Sequence, residues 1–165
     1  MCLLNMTYAL AQPCGMEGSI EDRIKDCNLN KKNFALVTRN EKGLEIYKDL
    51  KTGLVWGDRI GSDFNHYGSG KACSYDLPEA QLLKNLQWRL PTVNEFENAA
   101  SHGMKSSLSR MEHTFWTSTP VASKSKRKRK RNTNPSRVFL WDGLEEKTDT
   151  GDLKDAASVR CVTRI

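Results

Sequence analysis

Trp88-Arg89-Leu90-Pro91-Thr92-Val93-Asn94-Glu95-Phe96 packs an extended arm, a stop and a helix start into nine residues. Pro91 bars Leu90 from helical geometry and sets its own φ near the helical value, so Trp-Arg-Leu must arrive extended. Thr92 and Glu95 then have capping-box spacing: the hydroxyl accepts from the Glu95 backbone N–H while the carboxylate reaches back to the N–H of Thr92. Phe96, Ala99 and Ala100 supply a buried stripe, and the helix is expected to run to about His102 and stop at Gly103.

Upstream, Phe34-Ala-Leu-Val-Thr38 and Leu44-Glu-Ile-Tyr47 flank a polar turn that closes on Gly43, and their alternation and β-branching read as a strand pair. A turn at Lys51-Thr52-Gly53 precedes a fresh strand through Trp56. Residues 57 to 71 carry Gly57, Gly61, Gly68 and Gly70 among polar groups and read as loop. Leu77, Ala80, Leu83 and Leu86 recur at spacings of three, giving a helix with one apolar face. Pro78 splits that segment into Lys71 to Tyr75 and Pro78 to Leu86.

Downstream, Thr114-Phe-Trp-Thr-Ser-Thr-Pro120, Arg137-Val-Phe-Leu-Trp141 and Ser158-Val-Arg-Cys-Val-Thr-Arg164 read as strands. Asp142-Gly143 is a turn signal, and the acid-rich stretch from Gly143 to Ala157 reads as a solvated loop. Strands, two helices, then strands imply an α+β fold, with two helices flanking a small, loop-rich antiparallel sheet.

The 165 residues suit one domain, taken as 12–165, with residues 1–11 as the remnant of a signal peptide. That stretch is short and apolar and ends in Ala9-x-Ala11, the pattern a signal peptidase cuts, although it lacks a positive n-region and is broken by Asn5. Export to the periplasm, cell surface or medium is the expectation. No apolar run approaches the ~20 residues of a membrane-spanning helix, so no membrane insertion is expected. Of the five cysteines, Cys14 and Cys27 bracket a polar segment, and a bridge between them would contribute about 3 kcal/mol. Free, buried cysteines in a cytosolic protein are the alternative.

Net charge is +6, yet eight of the 26 basic residues lie in one acid-free stretch, which leaves 18 against 20 acids elsewhere. These eight are Lys124, Lys126, Arg127, Lys128, Arg129, Lys130, Arg131 and Arg137. So many like charges repel one another and stay solvated, which implies a loop. Three readings compete for it: a polyanion site working by counterion release, a nuclear localisation signal, and internal pairing with Asp142, Glu145, Glu146, Asp149, Asp152 and Asp155. Nucleic acid would be bound only non-specifically.

Thr52-Gly-Leu-Val-Trp56, Cys73, Trp88-Arg-Leu-Pro-Thr92 with Glu95, Phe115-Trp-Thr-Ser-Thr-Pro120, Trp141 and Val159-Arg-Cys-Val162 stand in the order of a bacterial domain family. Over about residues 45 to 165 the chain resembles the Lcl C-terminal domain family, named for a collagen-like adhesin. The resemblance implies a variant of the C-type lectin-like fold, export, and recognition of glycans or other surface polymers, in some members at the tips of trimeric fibres. It also pairs Cys73 with Cys161.

Aromatic faces stack on sugar rings, but Trp56, Trp88 and Trp116 read mainly as core. Trp141, beside the turn and the basic run, is the tryptophan placed at a ligand. Asp149-x-Gly151-Asp152 brings oxygens near a turn but lacks the EF-hand spacing, and no metal or other cofactor is expected. There is no G-x-S-x-G elbow, P-loop or H-E-x-x-H, and His66, His102 and His113 are scattered, so the chain reads as a non-catalytic binding domain. A Cys161 nucleophile with His113 as base is the weak catalytic alternative. The rival from another class is a structural or protein-interaction module whose basic loop docks on an acidic partner or neighbouring subunit.

Overall fold

A computed structural model describes residues 33–39, 43–75, 86–122 and 137–165. Strand β1 (Phe34–Arg39) pairs antiparallel with β2 (Glu45–Asp49), Phe34 facing Asp49 and Leu36 facing Tyr47. Asp49 then builds the next turn. Its carboxylate accepts from Lys51 N and Thr52 Oγ1 at 2.8 Å each, and Gly53, at φ +71°, takes the left-handed conformation that a side chain would strain.

Strand β3 (Leu54–Phe64) overturns the loop expected from residue 57. It pairs with β7 (Ala157–Arg164) through Trp56↔Val162, Arg59↔Arg160, Ile60↔Val159 and Phe64↔Ala157. The register shifts between Trp56 and Arg59 and between Ile60 and Phe64, and Gly57 and Gly61 stand inside those shifts. The glycines therefore mark bulges in a paired strand. Gly68 and Gly70 lie in helix α1 (His66–Tyr75), which Asn65 opens by accepting from Gly68 N at 2.8 Å. A disulfide from Cys73 to Cys161 ties α1 to β7. The helix expected over Pro78 to Leu86 falls almost wholly outside the described residues.

Residues 87–91 form the extended arm. Arg89 and Val162 exchange both backbone hydrogen bonds, at 3.0 and 2.8 Å, and Ser118 N donates to Pro91 O at 2.8 Å. Ser118 belongs to β4 (Thr114–Pro120), which meets β7 in parallel at Phe115↔Ser158. The two parallel strands diverge beyond that point and the arm fills the gap between them.

Helix α2 (Val93–Ser101) starts with the full capping box, Glu95 N donating to Thr92 Oγ1 at 3.2 Å and Thr92 N donating to Glu95 Oε2 at 2.8 Å. It stops as expected, with His102 as the capping residue and Gly103 at φ +87°. A short α3 (Met104–Ser107) follows.

β4 pairs antiparallel with β5 (Arg137–Asp142), and β5 pairs with β6 (Lys147–Asp152) over six residues. Seven strands thus form one sheet in the order β1-β2-β3-β7-β4-β5-β6, mixed through the β4–β7 contact. This corrects the expected fold class: the architecture is a large mixed sheet with three short helices among the described residues, not a C-type lectin-like pair of helices flanking a small antiparallel sheet. The physical reason is pairing. Residues 57–64 and 147–152 have weak intrinsic strand preference, and neighbours that satisfy their backbone groups hold them extended.

Apolar residues cover both faces of the sheet. Trp56, Phe115, Trp141 and Val162 pack with Phe96 of α2 and Met104 of α3, while Trp116, Val159 and Cys161 pack with Ala72 and Cys73 of α1. Val162 and Cys161, like Phe115 and Trp116, alternate between the two cores, as strand geometry requires.

Candidate functional site

The basic run from Lys124 to Arg131 lies outside the described residues, but both its roots lie inside them. Pro120 faces Val138 across the β4–β5 ladder, and Val121 N donates to Arg137 O at 3.1 Å. The chain therefore leaves the sheet at 121–122 and returns at Arg137, tethered on both sides to one end of this hairpin. Since β4 and β7 are parallel, Arg164 at the end of β7 lies at the same end of the sheet, as does Leu54, its partner on β3.

Arg137 is exposed, and β6 engages it. Its Nη2 donates to Thr150 Oγ1 at 2.6 Å, and its Nε lies 3.7 Å from an Asp152 oxygen. With side chains 50% and 66% exposed, this ion pair is screened by water and steadies Arg137 rather than stabilising the fold. Of the acids set against the basic run, Asp152 is thus the one in contact with a described member of it.

Trp141 is placed differently from the expectation. It is 2% exposed and stacks on Phe96, with ring centroids 5.5 Å apart and planes 7° apart. Its face is occupied by the core and offers no platform to a sugar ring. The turn signal at Asp142-Gly143 is met by the chain folding back over Met111, whose carbonyl leaves no room for a side chain at Gly143.

The acidic stretch is a strand as well as a turn. Asp149 and Asp152 are three apart on β6, so they face opposite sides of the sheet. Asp149 Oδ1 accepts from Thr150 N at 2.7 Å, and Asp155 Oδ2 from Asp152 N at 2.8 Å. Among the described residues, no group of three or more His, Cys, Asp or Glu side chains is placed to hold a metal ion.

The histidines have separate structural partners. His66 Nε2 lies 3.1 Å from Thr117 O, His102 Nδ1 lies 2.9 Å from the buried Asp49 carboxylate, and His113 lies 3.5 Å from Glu112. Cys161 is bonded to Cys73, so no thiol is available there for the alternative with His113. The Cys73–Cys161 pairing stands as expected, and Cys14 and Cys27 lie outside the described residues.

The most buried charges are also structural. Arg160, fully enclosed, donates to Gly57 O at 2.6 Å, lies 3.6 Å from Asp58 Oδ1 and sits 5.6 Å from the Phe115 ring centre. Burial pushes its guanidinium down to about 10, opposed by the Asp58 carboxylate, so it remains charged at neutral pH. Nearby, burial and the hydrogen bond to Glu45 push the Tyr47 phenol up. Burial alone would raise the Glu45 carboxyl, but bonds from Tyr47 and Arg39 outweigh it and hold the group low.

A groove of about 630 Å³ is lined by Leu86, Gln87, Trp88, Arg89, Thr163 and Arg164. It forms where the arm lies beside the end of β7, so residues about 75 positions apart meet there through the Arg89–Val162 bridge. The Trp88-Arg89 pair was visible as a motif. Its company with Arg164 depends on that pairing.

Among the described residues, no helix is long and apolar enough to cross a membrane. No family model matches the chain, and no curated protein matches it.

Proposed function

We propose that this chain is an exported, non-catalytic binding domain, adhesin-like in role, that recognises an anionic surface polymer through Lys124, Lys126 to Arg131 and Arg137. The observation that carries this reading is the closure of the β4–β5 hairpin at Val121 and Arg137, which holds both roots of an acid-free cationic run at one end of a rigid sheet. A tethered run of this kind gains affinity by releasing counterions from a polyanion. The Cys73–Cys161 disulfide supports an oxidising compartment, because such bonds persist outside the cytosol. The ordered motifs shared with the Lcl C-terminal domain family support the adhesive role, and a homotrimer belongs to the same reading.

The contact of Arg137 with Asp152 favours a second reading, in which the run docks on acids of a partner protein or neighbouring subunit. Salt alone does not separate the two, since both are electrostatic. Binding to a sulfated polysaccharide is therefore measured against salt and against polymer length, beside a variant with Lys126 to Arg131 changed to Ser. For six or more neutralised charges, affinity is expected to fall on the order of a thousandfold between about 50 and 200 mM salt, and the variant to lose that dependence. Equal binding by both proteins refutes the reading, and saturation independent of polymer length favours the protein partner.

A further inference from the structure

The groove beside the arm differs in kind from the basic run. Half-buried Trp88 lines it together with Arg89 and Arg164, two arginines with unequal charge balance. Arg89 donates to both Glu95 oxygens, at 2.9 and 2.6 Å, and that bond holds its guanidinium high against the opposing effect of burial. Its charge is therefore matched. Arg164 is exposed, and among the described residues its side chain meets no acid. Thr163 Oγ1 donates to Gln87 O at 3.0 Å, which ties the two walls together and fixes the spacing between Trp88 and Arg164. The Trp88 Nε1–H is enclosed and, among the described residues, meets no acceptor.

We propose that this groove is a subsite for one pyranose unit bearing a single negative group, carboxylate or sulfate. The C–H face of the ring lies against the Trp88 indole, as apolar sugar faces do on aromatic rings. Arg164 takes the negative group in a charge-assisted pair, and its planar fork suits both oxyanions. The volume of about 630 Å³ lies within the range of small-molecule sites, about 300–1,000 Å³. The subsite shares its ligand class with the proposed function but none of its residues, so either can stand without the other.

The test uses the full chain, labelled with ¹⁵N, and follows the indole N–H signals of its four tryptophans. Trp88→Phe assigns the Trp88 signal, and Trp56, Trp116 and Trp141, all buried, serve as internal references. Glucuronate and glucose 6-sulfate are titrated separately to tell the two negative groups apart, with glucose and inorganic sulfate as controls. The expected result is a saturable shift of the Trp88 signal alone, with a dissociation constant on the order of a millimolar, for at least one charged sugar. Arg164→Gln is expected to weaken that binding about tenfold or more, and the Lys126 to Arg131 serine variant to leave it unchanged. Three results overturn the inference: a static Trp88 signal, equal affinity in Arg164→Gln, or an equal shift with inorganic sulfate. Loss of the shift in the serine variant also overturns it and assigns the sugar to the basic run. Dispersed backbone spectra of each variant establish that it is folded.

Discussion

Replacing Cys73 and Cys161 by alanine, singly and together, is expected to expose a large single contribution to stability. The bridge closes a stretch of 88 residues, for which the chain-entropy picture gives about 4.5 kcal/mol. Both cysteines are fully buried, so each lost sulfur adds on the order of 1 kcal/mol. Either single variant already breaks the bridge. Each should therefore lose about 5–6 kcal/mol, and the double variant only about 1 kcal/mol more. Urea unfolding followed by tryptophan fluorescence reads this directly, because Trp56, Trp116 and Trp141 all leave buried sites on unfolding. With a slope of about 2 kcal/mol/M, each single variant should shift the midpoint by roughly 2–3 M. A stabilising osmolyte common to all four proteins keeps the weaker ones on scale. Cys2, Cys14 and Cys27 are present in every protein and cancel in the cycle. If the two single losses are each near 1 kcal/mol and add up in the double variant, there is no bridge to break and the reasoning fails.

Glu95→Gln should cost about 1–2 kcal/mol by weakening both the helix cap and the grip on Arg89. Burial would raise the Glu95 carboxyl, but bonds from Arg89 and Thr92 hold it below its usual 4.5. A depressed carboxyl contributes its stability in full above the unfolded value and loses it as pH falls through the folded one. Wild type and variant should thus converge in acid, and melts that stay parallel below pH 4 would rule this out. Asp58→Ala strands the buried Arg160 without its carboxylate and should cost about 3–5 kcal/mol, a fall in melting temperature on the order of 10 °C. Asp58→Leu combined with Arg160→Met should recover much of that loss, and a double variant no better than Asp58→Ala counts against the ion-pair account.

What could be read from the sequence depended on how local the cause was. The arm, the Thr92–Glu95 cap, the stop at Gly103 and the turn at Gly53 follow from contacts within a few residues, and all are where the pattern puts them. Strands β1, β2, β4, β5 and β7 carry their own alternation. Strand β3 beyond Trp56 and strand β6 do not, because glycines and acids hold an extended shape there only through pairing with β7 and β5. The same blindness to long-range pairing turned a mixed seven-stranded sheet into a small antiparallel one. Trp141 was misplaced for a related reason. Its position beside a turn is local, while its stacking on Phe96 comes from a helix more than forty residues earlier. The roots of the basic run follow from the β4–β5 ladder, which the flanking strands announced.

The place of β7 in the sheet has a kinetic consequence. It follows the other six strands in sequence and yet lies fourth in the sheet, between β3 and β4. Until it is made, no other strand among the described residues joins β1–β2–β3 to β4–β5–β6, and the arm at residues 87–91 lacks its β7 partner. A nascent chain on the ribosome would therefore hold two separate meanders with apolar faces uncovered. Their joining waits for pairings about a hundred residues apart, such as Trp56 with Val162. Closing such long loops before any contact rewards them makes folding slow, and it leaves a window for aggregation or chaperone capture that ends when the latest strand slots into the middle.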